Sequence, residues 1–245
     1  MSISFKHVTK SFGSKTVLND VSFDVATGEI CFILGRSGTG KSVTLKHIVG
    51  LMKPNAGRII VNNRDVQTLS ENELRTVRLE CGMVFQHPAL LDSLTIENNI
   101  GFALDLYTAD ARRQRVLECL KLVHLDASIL PRKPNEVSYG MQKRISLART
   151  IAAKPKYLLF DEPTTGLDPI TTTAINTLIF DLSRQLNVTS IVVSHDMGCA
   201  LQIADKVLVL DQGQVLLQDT VENVKQSHIP LIVDFLKEAV GELSL

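Results

Sequence analysis

The sequence predicts an α/β fold: a largely parallel sheet, an antiparallel β part near the N-terminus and an inserted helical stretch. Three observations predict it. Short apolar runs recur, several without polar alternation, as in strands buried on both faces. Segments with helical spacing separate them. From residue 87 to about 155 the strand signal disappears and helical pattern dominates.

Residues 3–8 form the first run, and after a turn at Gly13 residues 21–25 form a second, so the pattern up to about residue 30 reads as antiparallel. Further runs at 30–34, 58–61, 83–85, 157–160, 190–193, 207–210 and 214–217 are each bounded by Gly, Pro, Asp or Asn. Val116, Leu117, Leu120, Val123 and His124 mark one helix face, and Ile175, Leu178, Ile179, Leu182 and Leu186 mark another. Pro131 and Pro134 punctuate the helical stretch. Near the end, Ile232, Phe235, Leu236, Ala239 and Val240 share one face of an expected terminal helix. Two readings of that helix stand side by side: it packs on its own core, or it helps to hold a second subunit.

Composition bounds the function. With 245 residues, 44% hydrophobic and 21% charged, the chain is of ordinary globular type, which sets disordered, collagen-like and coiled-coil classes aside. Lys plus Arg and Asp plus Glu number 26 each, so the basic surplus that marks nucleic-acid partners is missing, and none is expected. No apolar run approaches the ~18 residues of a membrane span. Cys31, Cys81, Cys119 and Cys199 show no paired or metal-ligand spacing, and no secretory signal opens the sequence. They are read as reduced thiols of a cytosolic protein.

The strongest motif is Gly35-Arg36-Ser37-Gly38-Thr39-Gly40-Lys41-Ser42, which fits G-x-x-x-x-G-K-[ST] between an apolar run and a helical segment. Its glycines let successive backbone N–H groups face phosphate oxygens, and the following helix adds positive dipole. Lys41 supplies a mobile charge for the β- and γ-phosphates, and the Ser42 hydroxyl is a ligand for Mg²⁺. Downstream, the apolar run 157–160 delivers Asp161 and Glu162 to a strand end, the edge at which open α/β sheets bind ligands. Asp161 is expected to hold Mg²⁺, and Glu162 to polarise an attacking water. The cofactors read from these residues are ATP and Mg²⁺.

With these motifs in place the chain resembles the nucleotide-binding subunits of ABC transporters over almost its whole length. The resemblance implies a P-loop NTPase (RecA-like) core with an N-terminal antiparallel β subdomain and an inserted α-helical subdomain. In that frame residues 1–245 form a single ATPase domain. Residues 1–86 and 156–225 make the core, 87–155 the helical subdomain and 226–245 the C-terminal helix. Gln86 looks like the glutamine that contacts Mg²⁺ and water and senses the membrane partner, and His195 like the histidine that contacts the γ-phosphate. Phe12 sits where the family stacks an aromatic on adenine, against the alternative of a packed edge-strand ring. Val137-Ser138-Tyr139-Gly140-Met141 resembles the family's Leu-Ser-Gly-Gly-Gln signature, with Tyr139 in place of its first glycine. A ring there is expected to restrict the backbone or crowd the phosphate and so give low basal turnover. Ser138, Gly140 and Asp168 would be offered in trans, so that two ATP molecules lie between two identical subunits and hydrolysis reopens the dimer.

Residues 89–95, Ala-Leu-Leu-Asp-Ser-Leu-Thr, together with the phosphate-loop sequence, are similar to the ATPases of Mce/Mla-type phospholipid transporters. That subtype implies membrane permease subunits docking near residues 87–105, unless the stretch is simply a helix-capping loop. It also implies a Mce-type substrate-binding protein in the complex, and a peripheral position on the cytoplasmic side of a bacterial inner membrane. A non-transport ABC ATPase that regulates a membrane protein, as in cell division, is the alternative. A DNA-repair or ribosome-associated ABC protein is disfavoured by the single cassette and the neutral charge.

Overall fold

The structure, a computed structural model, describes residues 3–243, with side chains described through residue 239. Its strands are β1 (Ile3–Phe12), β2 (Lys15–Val25), β3 (Ile30–Leu34), β4 (Ala56–Val61), β5 (Arg64–Asp65), β6 (Cys81–Val84), β7 (Tyr157–Asp161), β8 (Thr189–Ser194), β9 (Lys206–Asp211) and β10 (Gln214–Thr220). Its α-helices are α1 (Lys41–Ile48), α2 (Glu71–Glu80), α3 (Ile96–Ile100), α4 (Ala109–Leu122), α5 (Tyr139–Ala152), α6 (Pro169–Gln185), α7 (Met197–Ile203), α8 (Val221–Lys225) and α9 (Pro230–Leu243).

Two sheets form. One has the order β10-β9-β3-β8-β7-β6 and the other β2-β1-β4-β5. From β9 to β6 every neighbouring pair is parallel, and β10 closes that sheet antiparallel to β9. The second sheet is wholly antiparallel. The apolar runs without alternation are explained by this arrangement. Ile30, Phe32 and Leu34 of β3 enter one core cluster and Cys31 and Ile33 the other, and β7 divides likewise. A strand buried on both faces has no polar face to show, so its sequence cannot alternate.

The antiparallel part extends beyond the residue 30 expected from sequence, because β4 and β5 join it. A run of six residues does not declare which sheet it will enter. The short α2 was not anticipated, although Ser70 and Glu73 form the reciprocal capping box that announces a helix start. Between β6 and β7 only helices and turns occur, with α3, α4 and α5 packed into one core. Ile232, Phe235 and Ala239 of α9 are buried in that same core, as the packing reading of the terminal helix expects. Val240 lies outside the described side chains. Among the described residues no helix is long and apolar enough to cross a membrane.

Candidate nucleotide site

The site is built at the C-terminal ends of the parallel strands. β3 stops at Leu34 and the chain turns through residues 35–40 into α1. Two glycines make that turn possible. A Cβ on Gly35 would lie 2.3 Å from the carbonyl oxygen of Leu210, and one on Gly40, at φ +102°, would lie 2.6 Å from Leu18. Neither position tolerates a side chain. Gly40 is also the N-cap of α1 and contributes no side-chain cap, so no side chain competes for the first-turn N–H groups.

Gly35, Arg36, Ser37, Gly38, Gly40, Lys41 and Ser42 line a cavity of about 650 Å³, together with Gln86, Glu162 and His195. That volume is of the size small-molecule and cofactor sites have. Thr39 is different: its hydroxyl donates 2.9 Å to the Arg36 carbonyl and braces the turn from within. Lys41, only 6% exposed, donates to the carbonyls of Gly35 (2.8 Å) and Arg36 (3.1 Å), and stands 3.6 Å from Glu162 Oε1.

Sequence-distant residues converge here because β8 lies beside β3 and β7 beside β8 in the sheet. The Ser42 hydroxyl donates 2.7 Å to Asp161 Oδ1 at the end of β7. One hydroxyl and one carboxylate meeting at that distance are the hard oxygen donors a magnesium ion takes, with phosphate and water completing its shell. The residues present therefore fit that cation. Glu162, next along, adopts φ +49°, a rare backbone state for a non-glycine residue, and its N–H donates 2.9 Å to the Val193 carbonyl. Its Oε2 lies 2.8 Å from His195 Nδ1 and accepts at 3.3 Å from the Thr165 hydroxyl. Gln86 lies beyond the end of β6, with its side chain in the cavity lining.

Phe12 does not line the cavity. It ends β1, 46% exposed, with the Lys10 ammonium 5.1 Å from its ring centroid. Val17, from the same hairpin, lines the cavity instead. Ser138, Gly140 and Asp168 also lie outside the lining, and they share a neighbourhood of their own. Ser138 caps α5 by accepting from the Met141 N–H, and Asp168 caps α6 by accepting from the N–H and hydroxyl of Thr171. Those bonds hold the Asp168 carboxyl below its usual range, the hydroxyl contributing most. A Cβ on Gly140 would sit 3.1 Å from the Thr171 methyl, and one on Gly166 3.9 Å from the Tyr139 ring. The two helix starts are thus neighbours. Tyr139 itself is the first residue of α5, in ordinary helical backbone, so the expected backbone restriction does not arise. Its 37% exposed ring leaves the crowding argument standing.

Sequence reasoning missed Thr165, Phe235 and Glu238, all in the cavity lining. Thr165 had a signal, a hydroxyl three residues after a candidate base. The two α9 residues had none, since the packing of a terminal helix beside His195 is a tertiary fact.

A glycine-rich turn feeding a helix at the carboxyl end of a parallel sheet, with a serine–aspartate pair and a glutamate–histidine pair across from it, defines a P-loop ATPase. Residues 18–165 match the family profile described as ABC transporter. The chain belongs to that family, as one of its ATP-hydrolysing cassettes. Among its relatives is the methionine import ATP-binding protein MetN of Clostridioides difficile, 40% identical over 245 residues that cover 99% of this chain and 75% of the relative. Another is the probable ribonucleotide transport ATP-binding protein mkl of Mycobacterium leprae, 36% identical over 239 residues that cover 96% of this chain and 69% of the relative. Among solved structures, the dimeric post-hydrolysis state of the ATP-binding cassette MJ0796 bound to ADP and Pi superimposes with a TM-score of 0.81 at 33% identity, covering 89% of this chain and 98% of that one. CbiO1 of Clostridium perfringens, part of the cbiONQ transporter complex, gives 0.85 at 28% identity, covering 92% and 90%.

Proposed function

We propose that two copies of this chain close face to face on ATP and that the motion energises transport through a separate membrane permease. The observation that carries this reading is the convergence of the phosphate loop, the Ser42–Asp161 pair and the Glu162–His195 pair on one cavity. Each subunit would hold one nucleotide with residues 35–42, Phe12 lying against the adenine, and the partner would supply Ser138, Gly140 and Asp168. That division of labour is supported by the absence of those three residues from their own cavity lining, and by the dimeric state of the MJ0796 cassette. Closure brings the helix start at Ser138 to the far side of the γ-phosphate, where its dipole favours negative charge.

Within each site Glu162 orients the attacking water and takes its proton, and His195 holds Glu162 and contacts the γ-phosphate. Lys41 follows the charge that spreads over the transferred phosphoryl oxygens. Mg²⁺, held by Ser42, Asp161 and Gln86, would neutralise charge on the β- and γ-oxygens. Opening after hydrolysis is the second state that the permease reads. Residues 87–105 are the proposed permease contact, which sets the chain on the cytoplasmic face of a bacterial inner membrane.

Two cargo readings each rest on a specific observation. Residues 89–95 favour phospholipid, through the Mce/Mla resemblance, with an Mce-type binding protein in the complex. The names of relatives favour amino-acid import, because MetN proteins at 40% identity serve methionine. None of the relatives named above is named for lipid transport. Relatives at 36% and 40% identity carry different cargo names, which weakens inference from overall identity. The deciding experiment purifies the chain from membranes with its permease and compares stimulation of ATPase activity by methionine and by phospholipid in the reconstituted complex. Stimulation by methionine alone removes the lipid reading, and the reverse removes the other. A chain that captures no membrane protein at all overturns the transport role.

A further inference from the structure

Lys143 is a buried cation without a carboxylate. It is 3% exposed on α5, and among the described residues no Asp or Glu pairs with it. Its ammonium donates instead to two backbone carbonyls, that of Gln86 and, at 2.9 Å, that of Pro163. The ring of Tyr139, one helical turn earlier, covers it with a centroid 5.5 Å away. Burial pushes its pKa below the ordinary lysine value. A buried ammonium held only by dipoles costs desolvation energy that an apolar side chain would not. A purely structural helix position of this kind is better filled by Met or Leu.

The two carbonyls explain the choice. Gln86 lies beyond the end of β6 and Pro163 immediately follows Glu162 beyond the end of β7. These strands are parallel neighbours, Val84 opposite Phe160, so the loops leave the sheet side by side. Glu162 itself holds an unfavourable backbone angle that a flanking restraint must support. We propose that Lys143 is a positioning residue for hydrolysis: by bridging the Gln86 and Pro163 carbonyls it fixes the spacing between the cavity glutamine and the base glutamate. It lies outside the cavity lining and acts through both loops. A misplacement of about 1 Å in a catalytic group lowers rate by as much as ~100-fold.

The inference rests on the assignment of Glu162 as the base, so the experiment runs E162Q beside the Lys143 variants in the full-length chain. For Lys143→Met we expect kcat for ATP to fall about ten-fold or more, with affinity for a fluorescent ATP analogue unchanged within about two-fold. Lys143→Arg, which keeps the charge and the donors, recovers most of kcat. Lys143→Gln is read by the same split if the methionine variant folds poorly. A Lys143→Met enzyme with undiminished kcat, beside an inactive E162Q, overturns the positioning role alone. Parallel loss of turnover, nucleotide binding and thermal stability that Arg does not restore also overturns it, in favour of a packing role. An active E162Q overturns the assignment of the base and this inference with it.

Discussion

His195 Nδ1 lies 2.8 Å from Glu162 Oε2, joining the end of β8 to the residue after β7 across the mouth of the cavity. The contact holds the carboxylate that also faces Lys41 at 3.6 Å. Glu162→Gln keeps the shape and removes the basic oxygen. It should abolish steady-state phosphate release, a loss of about 10²–10⁴-fold, and leave a stable ATP-bound dimer on gel filtration. A monomer that still hydrolyses ATP refutes the assignment. His195→Ala should lower kcat without comparable loss of nucleotide affinity.

The Ser42–Asp161 hydrogen bond, at 2.7 Å, places the proposed magnesium ligands together. Chelation with EDTA should remove activity and excess Mg²⁺ should restore it. Ser42→Ala should shift the magnesium titration to higher concentration by about ten-fold, since a lost metal-site contact typically costs that order in affinity. A titration curve identical to the parent would remove Ser42 from the metal site.

Tyr139 stands at the exposed start of α5, its hydroxyl 3.3 Å from His87 Nδ1. With its backbone regular, the expectation of slow turnover rests on the ring, which stands on the face proposed to meet the partner's nucleotide. Tyr139→Gly should raise basal ATPase activity several-fold. The glycine costs the helix start about 0.5–1 kcal/mol at most, so the melting temperature should change little. Unchanged turnover in the purified dimer sinks the idea.

Much of the ATP-holding half was legible in the sequence because backbone chemistry dictates it. Gly35 is forced by a backbone carbonyl that fills the space of any side chain and Gly40 by its φ of +102° beside the Val17 carbonyl, and the β3 and β7 runs are forced by burial on both faces. Residues that act by tertiary approach were illegible. Lys143 reads as one more polar residue on an exposed-looking helix turn, and Glu238 as an ordinary surface carboxylate. Phe12 is a position taken from the resemblance alone: its ring lies outside the cavity lining, while Val17 of the same hairpin lies inside it.

Three cysteines give a pH-dependent test. Burial pushes the Cys31 and Cys81 thiols up to about 12 and Cys119 up to about 11. Since the thiolate is the nucleophile, iodoacetamide at pH 8 should label none of the three in the native protein and all three after denaturation. The sign for stability follows. Unfolded thiols ionise near 9 while the folded ones stay neutral, so stability should decline as pH rises from about 9 towards 12. Mass-spectrometric mapping of native Cys31 labelling within minutes would contradict the burial argument.

Glu238 of α9 lines the nucleotide cavity and, with Phe235 and Ala239, a smaller one of about 150 Å³ beside His195, Asp196 and Met197. A carboxylate at that wall opposes the negative charge of the phosphates, and its effect falls with distance and with screening by salt. Glu238→Gln should therefore tighten ATP binding about two- to five-fold at low ionic strength, with the gain shrinking as salt is raised. Phe235→Ala separates this from packing, because it opens the wall without changing charge and should lower thermal stability by about 3–5 kcal/mol if the ring is fully part of the core. Equal ATP affinity for Glu238→Gln and the parent at low salt would place the carboxylate out of reach of the phosphates and leave α9 with packing alone.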